Sequence, residues 1–197
     1  MTLTQWALNG NILPMTFALS YFVFGAMLCG FVAIVVGDRR VANKLAKLDW
    51  KDLVAGLYRL NTAELSAVAI DYLTPHRGQI DMEPSKIWDS LGGYDGLKKM
   101  RENADIMLAL AAYAQRWNFE ESVIVTERMR LDAASLSRAV RRVELGMIPA
   151  LVLPRFRFTL PLYAQEASSA YYLMRQRLLA LYETSHVCRY PALAAVL

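Results

Sequence analysis

Apolar and polar positions divide this chain unevenly. No residue before Asp38 is charged, and from Met15 to Gly37 the polar side chains are Thr16, Ser20 and Tyr21. A helix over residues 15–37 would extend roughly 34 Å at the usual rise per residue. That is enough to cross a hydrocarbon layer about 30 Å thick with modest tilt. Pro14 suits the first helical position, where a missing N–H costs nothing. Trp6 lies ahead of the span and Tyr21 near its first turn, both suited to an interface.

The remainder alternates on a helical period. Asp49 precedes an apolar-periodic run to Leu60, and Asn61 to Glu64 has capping-box spacing before a run to Leu73. Thr74-Pro75-His76-Arg77-Gly78 is a break. Pro84 opens a short helix that Gly92-Gly93 ends, and a long helix is predicted from Tyr94 to Trp117. Asn118 to Glu121 repeats the capping-box spacing and opens a run to Leu145, with Gly146 as the stop. Pro149, Pro154 and Pro161 punctuate an apolar connector, and Thr159 caps a last helix to about Glu183.

Periodicity names the faces to be buried. On the 119–145 helix the stripe is Val125, Met129, Leu136, Val140 and Val143. On the last helix it is Tyr163, Ala167, Ala170, Met174, Leu178 and Leu181. Asn103 to Ala114 is apolar almost all round, which predicts a central, buried helix. The β-branched runs, Val35-Val36 and Val123-Ile124-Val125, are too short to argue for a sheet. The expected fold is therefore all-α: a single N-terminal transmembrane helix followed by a cytoplasmic α-helical bundle of about five to six helices. Its parts are an external N-terminus over 1–14, a signal-anchor helix over 15–37, a basic juxtamembrane linker over 38–48 and a helical domain over 49–197.

A cleaved leader is the rival reading of the first segment. It would need a basic start and a shorter apolar core, and neither is present. Leu28 stands before Cys29 where a lipoprotein processing site requires a small residue. Arg39, Arg40, Lys44 and Lys47 follow the span and no Lys or Arg precedes it, so the positive-inside rule places the large domain in the cytoplasm at the inner membrane. An unpaired Cys188 suits that compartment. Ala26, Gly30, Ala33 and Gly37 share one face of the span, a stripe that would let another transmembrane helix approach closely.

Composition narrows the chemistry. Hydrophobic residues make up 55% of the 197 and charged residues 20%, with a net charge of +4, which excludes a disordered or fibrous chain. Two cysteines and two histidines supply neither a disulfide scaffold nor a zinc ligand set, so no metal and no cofactor is expected. His186 and Cys188 lack further ligands at suitable spacing. His76, with Asp71, Asp81 and Glu83 nearby in sequence, could titrate near neutral pH, but no nucleophile or phosphate cradle adjoins it. Gly92-Gly93-Tyr94-Asp95-Gly96 follows no strand, which favours a helix–helix corner over an anion-binding turn. No catalytic residue is assigned.

Positive charge gathers elsewhere. Arg128, Arg130, Arg138, Arg141 and Arg142 lie on one predicted helix, interleaved with Glu127, Asp132 and Glu144. Arg155 and Arg157 alternate with Phe156 and Phe158 in the connector. Both groups read as solvated surface or as contacts to phosphate, from lipid headgroups or nucleic acid. The arginine-rich helix contains no internal turn, which argues against a helix-turn-helix and so against nucleic acid. The leading expectation is a non-enzymatic, membrane-anchored interaction protein. It would be an accessory or scaffold subunit whose partners are the membrane and other membrane-protein subunits or further copies of itself. The alternatives are a tethered regulator that binds nucleic acid through the arginine-rich helix, and an enzyme using an unrecognised site, with His76 the first residue to test.

Overall fold

The computed structural model describes residues 21, 24, 25, 28, 29, 40–74, 82–116, 119–152, 160–185 and 188–197. The chain divides into two units, Met1–Lys44 and Leu45–Leu197. In the first unit the described residues are helical, and the side chains of Tyr21, Phe24 and Leu28 are exposed. The second unit is an all-helical bundle: α1 (Trp50–Ala55), α2 (Thr62–Leu73), α3 (Pro84–Ser90), α4 (Gly93–Ala114), α5 (Phe119–Val152), α6 (Leu160–Ser185) and α7 (Tyr190–Ala194). Among the described residues there is no strand. Among them, too, no helix is long and apolar enough to cross a membrane. Most of the expected 15–37 span lies outside the described residues.

Local chemistry explains several boundaries. Asn61 caps α2 by accepting from the Glu64 backbone N–H, while its own amide donates to Glu64 Oε1 at 2.7 Å. This is the predicted cap, with the reciprocal bond made to the asparagine side chain rather than to its backbone. Pro84 opens α3 at its first turn. Gly92 and Gly93 hold φ of +70° and +63°, the left-handed conformation that ends one helix and starts the next within a residue or two. A side chain at Gly96 would collide with the Leu91 carbonyl oxygen, so this corner needs glycine for closeness as well as for rotation.

Other boundaries differ from the sequence reading. The first helix stops at Ala55 instead of Leu60. The cause is a side chain far along the chain: Asn103, fully buried in α4, accepts from the Tyr58 N–H and donates to the Tyr58 carbonyl, both at 2.8 Å. Tyr58 thus completes its backbone bonds outside a helix. At its C-terminus α4 stops at Ala114 instead of Trp117. Gly146 does not stop α5, which continues to Val152 through Pro149. Among the described residues the glycines with positive φ are Gly92 and Gly93, and a right-handed glycine costs a helix only about 1 kcal/mol. What Gly146 provides is room: a Cβ there would sit 2.7 Å from Leu160 Cδ2 at the start of α6. The C-terminal helix α7 is an addition to the predicted set, opened by Pro191 in its first turn. Asn118 and Thr159, the expected caps of α5 and α6, lie outside the described residues.

The core is centred on α6, which packs against α2, α3, α4, α5 and α7. The sequence pointed to the 94–117 helix for that place. In the structure α4 buries Leu97, Met100, Met107 and Leu110 as expected, with Asp105 and Ala112 exposed, but α6 has more packed neighbours. Small side chains decide the matter, because Ala164, Ala167, Ser168, Ser169 and Ala170 are all buried and let neighbours approach α6 from several sides. The predicted stripes otherwise face inward: Met129, Leu136, Val140 and Val143 of α5 meet Ala167, Met174, Leu178 and Leu181 of α6 in one core.

Several polar groups inside this core are paired, while the buried Thr126 hydroxyl of α5 has no hydrogen-bond partner among the described residues. Asn103 also donates to the Tyr171 hydroxyl at 3.1 Å. Tyr182 accepts from the Trp50 indole and donates to the Leu110 carbonyl, tying α1, α4 and α6 together. Gln165 donates to Asp71 across α6 and α2. The Arg189 guanidinium lies over the rings of both Trp50 and Tyr113, and Arg175 donates to the Leu197 carbonyl, which fixes the C-terminal segment.

Candidate interaction face

Helix α5 has two unlike sides. Its inner side is buried through Met129, Leu136, Val140 and Val143. On its outer side Ile124, Leu131 and Leu145 are 62%, 65% and 71% exposed. These three fall on a seven-residue spacing, with Arg138 in the remaining place, so they form one narrow line along the helix. Exposed single leucines are ordinary. A line of them at coiled-coil spacing, on a helix that packs only its opposite side against α4 and α6, is a distinct surface.

The predicted arginines border this line. Arg128, Arg130, Arg138, Arg141 and Arg142 are all exposed, while between 122 and 147 the exposed carboxylate is Glu127. Arg130 pairs with Glu127 at 2.9 Å, one turn away. Arg142 reaches Glu166 of α6 at 3.3 Å and lies over the Tyr163 ring. Glu166 also accepts from Ser135, at 3.4 Å. The Arg138 side chain folds back to donate to the Ala134 carbonyl. Glu144 turns inward, accepting from Tyr94 at 2.9 Å and pairing with Arg101 at 3.4 Å. That carboxylate raises the Tyr94 pKa by holding its proton. Between 122 and 147, Asp132 and Glu144 are thus committed to α6 and α4, and the exposed charges there are five arginines and Glu127.

Beside Ile124 the cleft between α5 and α6 opens into an apolar groove of about 410 Å³, lined by Ile124, Val125, Ala180, Leu181, Thr184 and Arg177. Arg177 pairs with Asp132 of α5 next to this groove. Partial burial, and secondarily the nearby Arg128, lower the Arg177 pKa from its ordinary value. It stays charged at neutral pH, as guanidinium does.

Arg40 and Lys44 are exposed one helical turn apart, and Lys47 is exposed in a turn. Ala26, Gly30, Ala33, Gly37, Arg39, His76, Arg155, Arg157 and His186 lie outside the described residues. Cys188 is free and exposed. Among the described residues no group of three or more His, Cys, Asp or Glu is placed to hold a metal ion. The sequence signalled the arginines but did not separate Ile124, Leu131 and Leu145 from the buried stripe. The usable signal was their seven-residue spacing, offset around the helix from Met129, Leu136 and Val143.

Compared with protein-family models, curated proteins and solved structures, the chain has no match.

Proposed function

We propose that this chain is a single-pass, membrane-tethered helical interaction protein, an accessory or scaffold subunit that holds its bundle at the cytoplasmic face of the membrane. The observation that carries the reading is the division of charge. All charged side chains follow residue 37, and the uncharged stretch before them is long enough to span. Exposed Tyr21, Phe24 and Leu28, at i, i+3 and i+7, support it, because lipid is the solvent in which such a helical face is stable. The basic residues from Arg39 to Lys47 set the orientation. The stripe Ala26, Gly30, Ala33, Gly37 is the element of the tether suited to a second transmembrane helix. The outer face of α5 is the element of the bundle suited to a second protein.

Extraction separates the outcomes. In alkaline carbonate the full chain stays with the membrane pellet, and protease added outside intact cells leaves residues 45–197 whole. Release into the supernatant ends the tether reading. Digestion of the bundle from outside reverses the orientation.

A further inference from the structure

We propose that the outer face of α5 binds an acidic amphipathic helix supplied by another protein. The partner's apolar ridge would lie along Ile124, Leu131 and Leu145, and one of its large side chains would enter the groove between α5 and α6. This deepens the interaction reading above and rests on it.

Three features select this occupant. The apolar line is one residue wide and repeats every seven residues, which is the spacing of a helix packed on a helix. A lipid surface favours a broad apolar face, whereas beside this line the other exposed apolar residues described on α5 are Val123, Ala134 and Met147, with Val123 and Met147 only 39% and 38% exposed. The groove is open beside the end of the line at Ile124, so one helix can follow the line and fill the cleft. The charge is one-sided, with five exposed arginines and Glu127 along 122–147. In an antiparallel pairing of two copies, Leu131 of one chain would meet Arg138 of the other, and both basic borders would face each other. Like charges across an interface oppose association, whereas glutamates on a partner would face the exposed arginines of α5.

The test uses the full chain in phosphatidylcholine nanodiscs and two labelled three-heptad peptides. Both carry leucine at a and d. One carries glutamate at e and g, the other lysine, and empty nanodiscs give the background. The glutamate peptide binds saturably and at least about tenfold more tightly than the lysine peptide. Leu131→Asp weakens it about tenfold by placing a carboxylate in the apolar line. Arg128→Glu with Arg138→Glu inverts the preference. Ala180→Trp, which fills the groove, weakens binding without changing the charge preference. Circular dichroism of each variant shows whether the bundle is intact.

Equal binding of the two peptides, or binding indifferent to Leu131→Asp, overturns the proposal. A concentration-dependent dimer abolished by Leu131→Asp assigns the face to a second copy instead. Protection of 122–147 from hydrogen exchange by phosphatidylserine in the disc, without peptide, assigns it to lipid. Carbonate-resistant membrane association with a failed peptide test discards the face and leaves the tether standing. Loss of the chain from the membrane discards the tether whatever the peptides do.

Discussion

Helices α5 and α6 lie side by side and solve opposite problems. Helix α6 packs against five other helices and buries polar residues, Gln165, Ser168 and Ser169 among them, each with an internal acceptor or donor. Helix α5 is the longest helix of the bundle and leaves Ile124, Leu131 and Leu145 in solvent. Polar groups inside and apolar groups outside are both exceptions to ordinary burial. The first exception is explained within the chain, because Gln165 reaches Asp71 of α2 and the two serines bond to carbonyls of their own helix one turn back. The second has no covering partner among the described residues, and the seven-residue spacing of these side chains is why function is sought on α5.

Substitutions can break this contrast. The largest effect is expected in the enclosed region. Asn103→Ala removes the partners of the Tyr58 N–H and carbonyl and a donor to Tyr171, and should cost roughly 3 kcal/mol in denaturant unfolding. A cost within experimental error would mean that the 56–61 segment is held by something else.

Alkaline pH probes the same interior. Burial pushes the Tyr182 hydroxyl up to about 12 from 10.0. The folded state therefore keeps this proton more tightly than the unfolded chain. The stabilisation is fully present below pH 10 and is lost as pH rises toward 12, by roughly 2 kcal/mol. In Tyr182→Phe this part of the pH dependence disappears, while the Leu110 carbonyl loses its donor and the baseline stability falls. Unfolding midpoints across that range check both statements.

On the outer face of α5 the expectation is reversed. Leu131→Asp changes stability by no more than about 0.5 kcal/mol, since the side chain is mostly in water already. A loss of several kcal/mol would show that Leu131 belongs to the fold and not to a docking surface. Smallest of all, Arg130→Ala should cost only a few tenths of a kcal/mol, because its pairing with Glu127 is exposed and one turn long. Measuring these two variants beside Asn103→Ala sharpens the comparison from both ends.

Helix boundaries governed by nearby residues were legible in the sequence. Asn61, Pro84 and Gly92-Gly93 act on the backbone within a turn of themselves, and each marks the boundary it predicts. Boundaries decided at a distance were not. Leu60 lies beyond the first helix because Asn103 claims the Tyr58 backbone, and Gly146 sits inside α5 because Leu160 needs the space. The 94–117 helix is buried as expected, but the still more surrounded α6 was not singled out, for a related reason. Hydrophobicity ranks alanine and serine low, yet small size is what allows α6 to be surrounded. At the candidate face the arginines were visible as a cluster. The exposed leucines were not distinguished, since exposure depends on where α4 and α6 lie around the helix.

The grip of Asn103 on Tyr58 also orders events during synthesis. Residues 56–61 take their final path through a side chain 45 positions downstream of Tyr58, and that side chain in turn contacts Tyr171. While the chain emerges from the ribosome, the link between the first two helices has no template until the fourth has been made. A growing chain halted before residue 103 would lack both side-chain partners of the Tyr58 backbone.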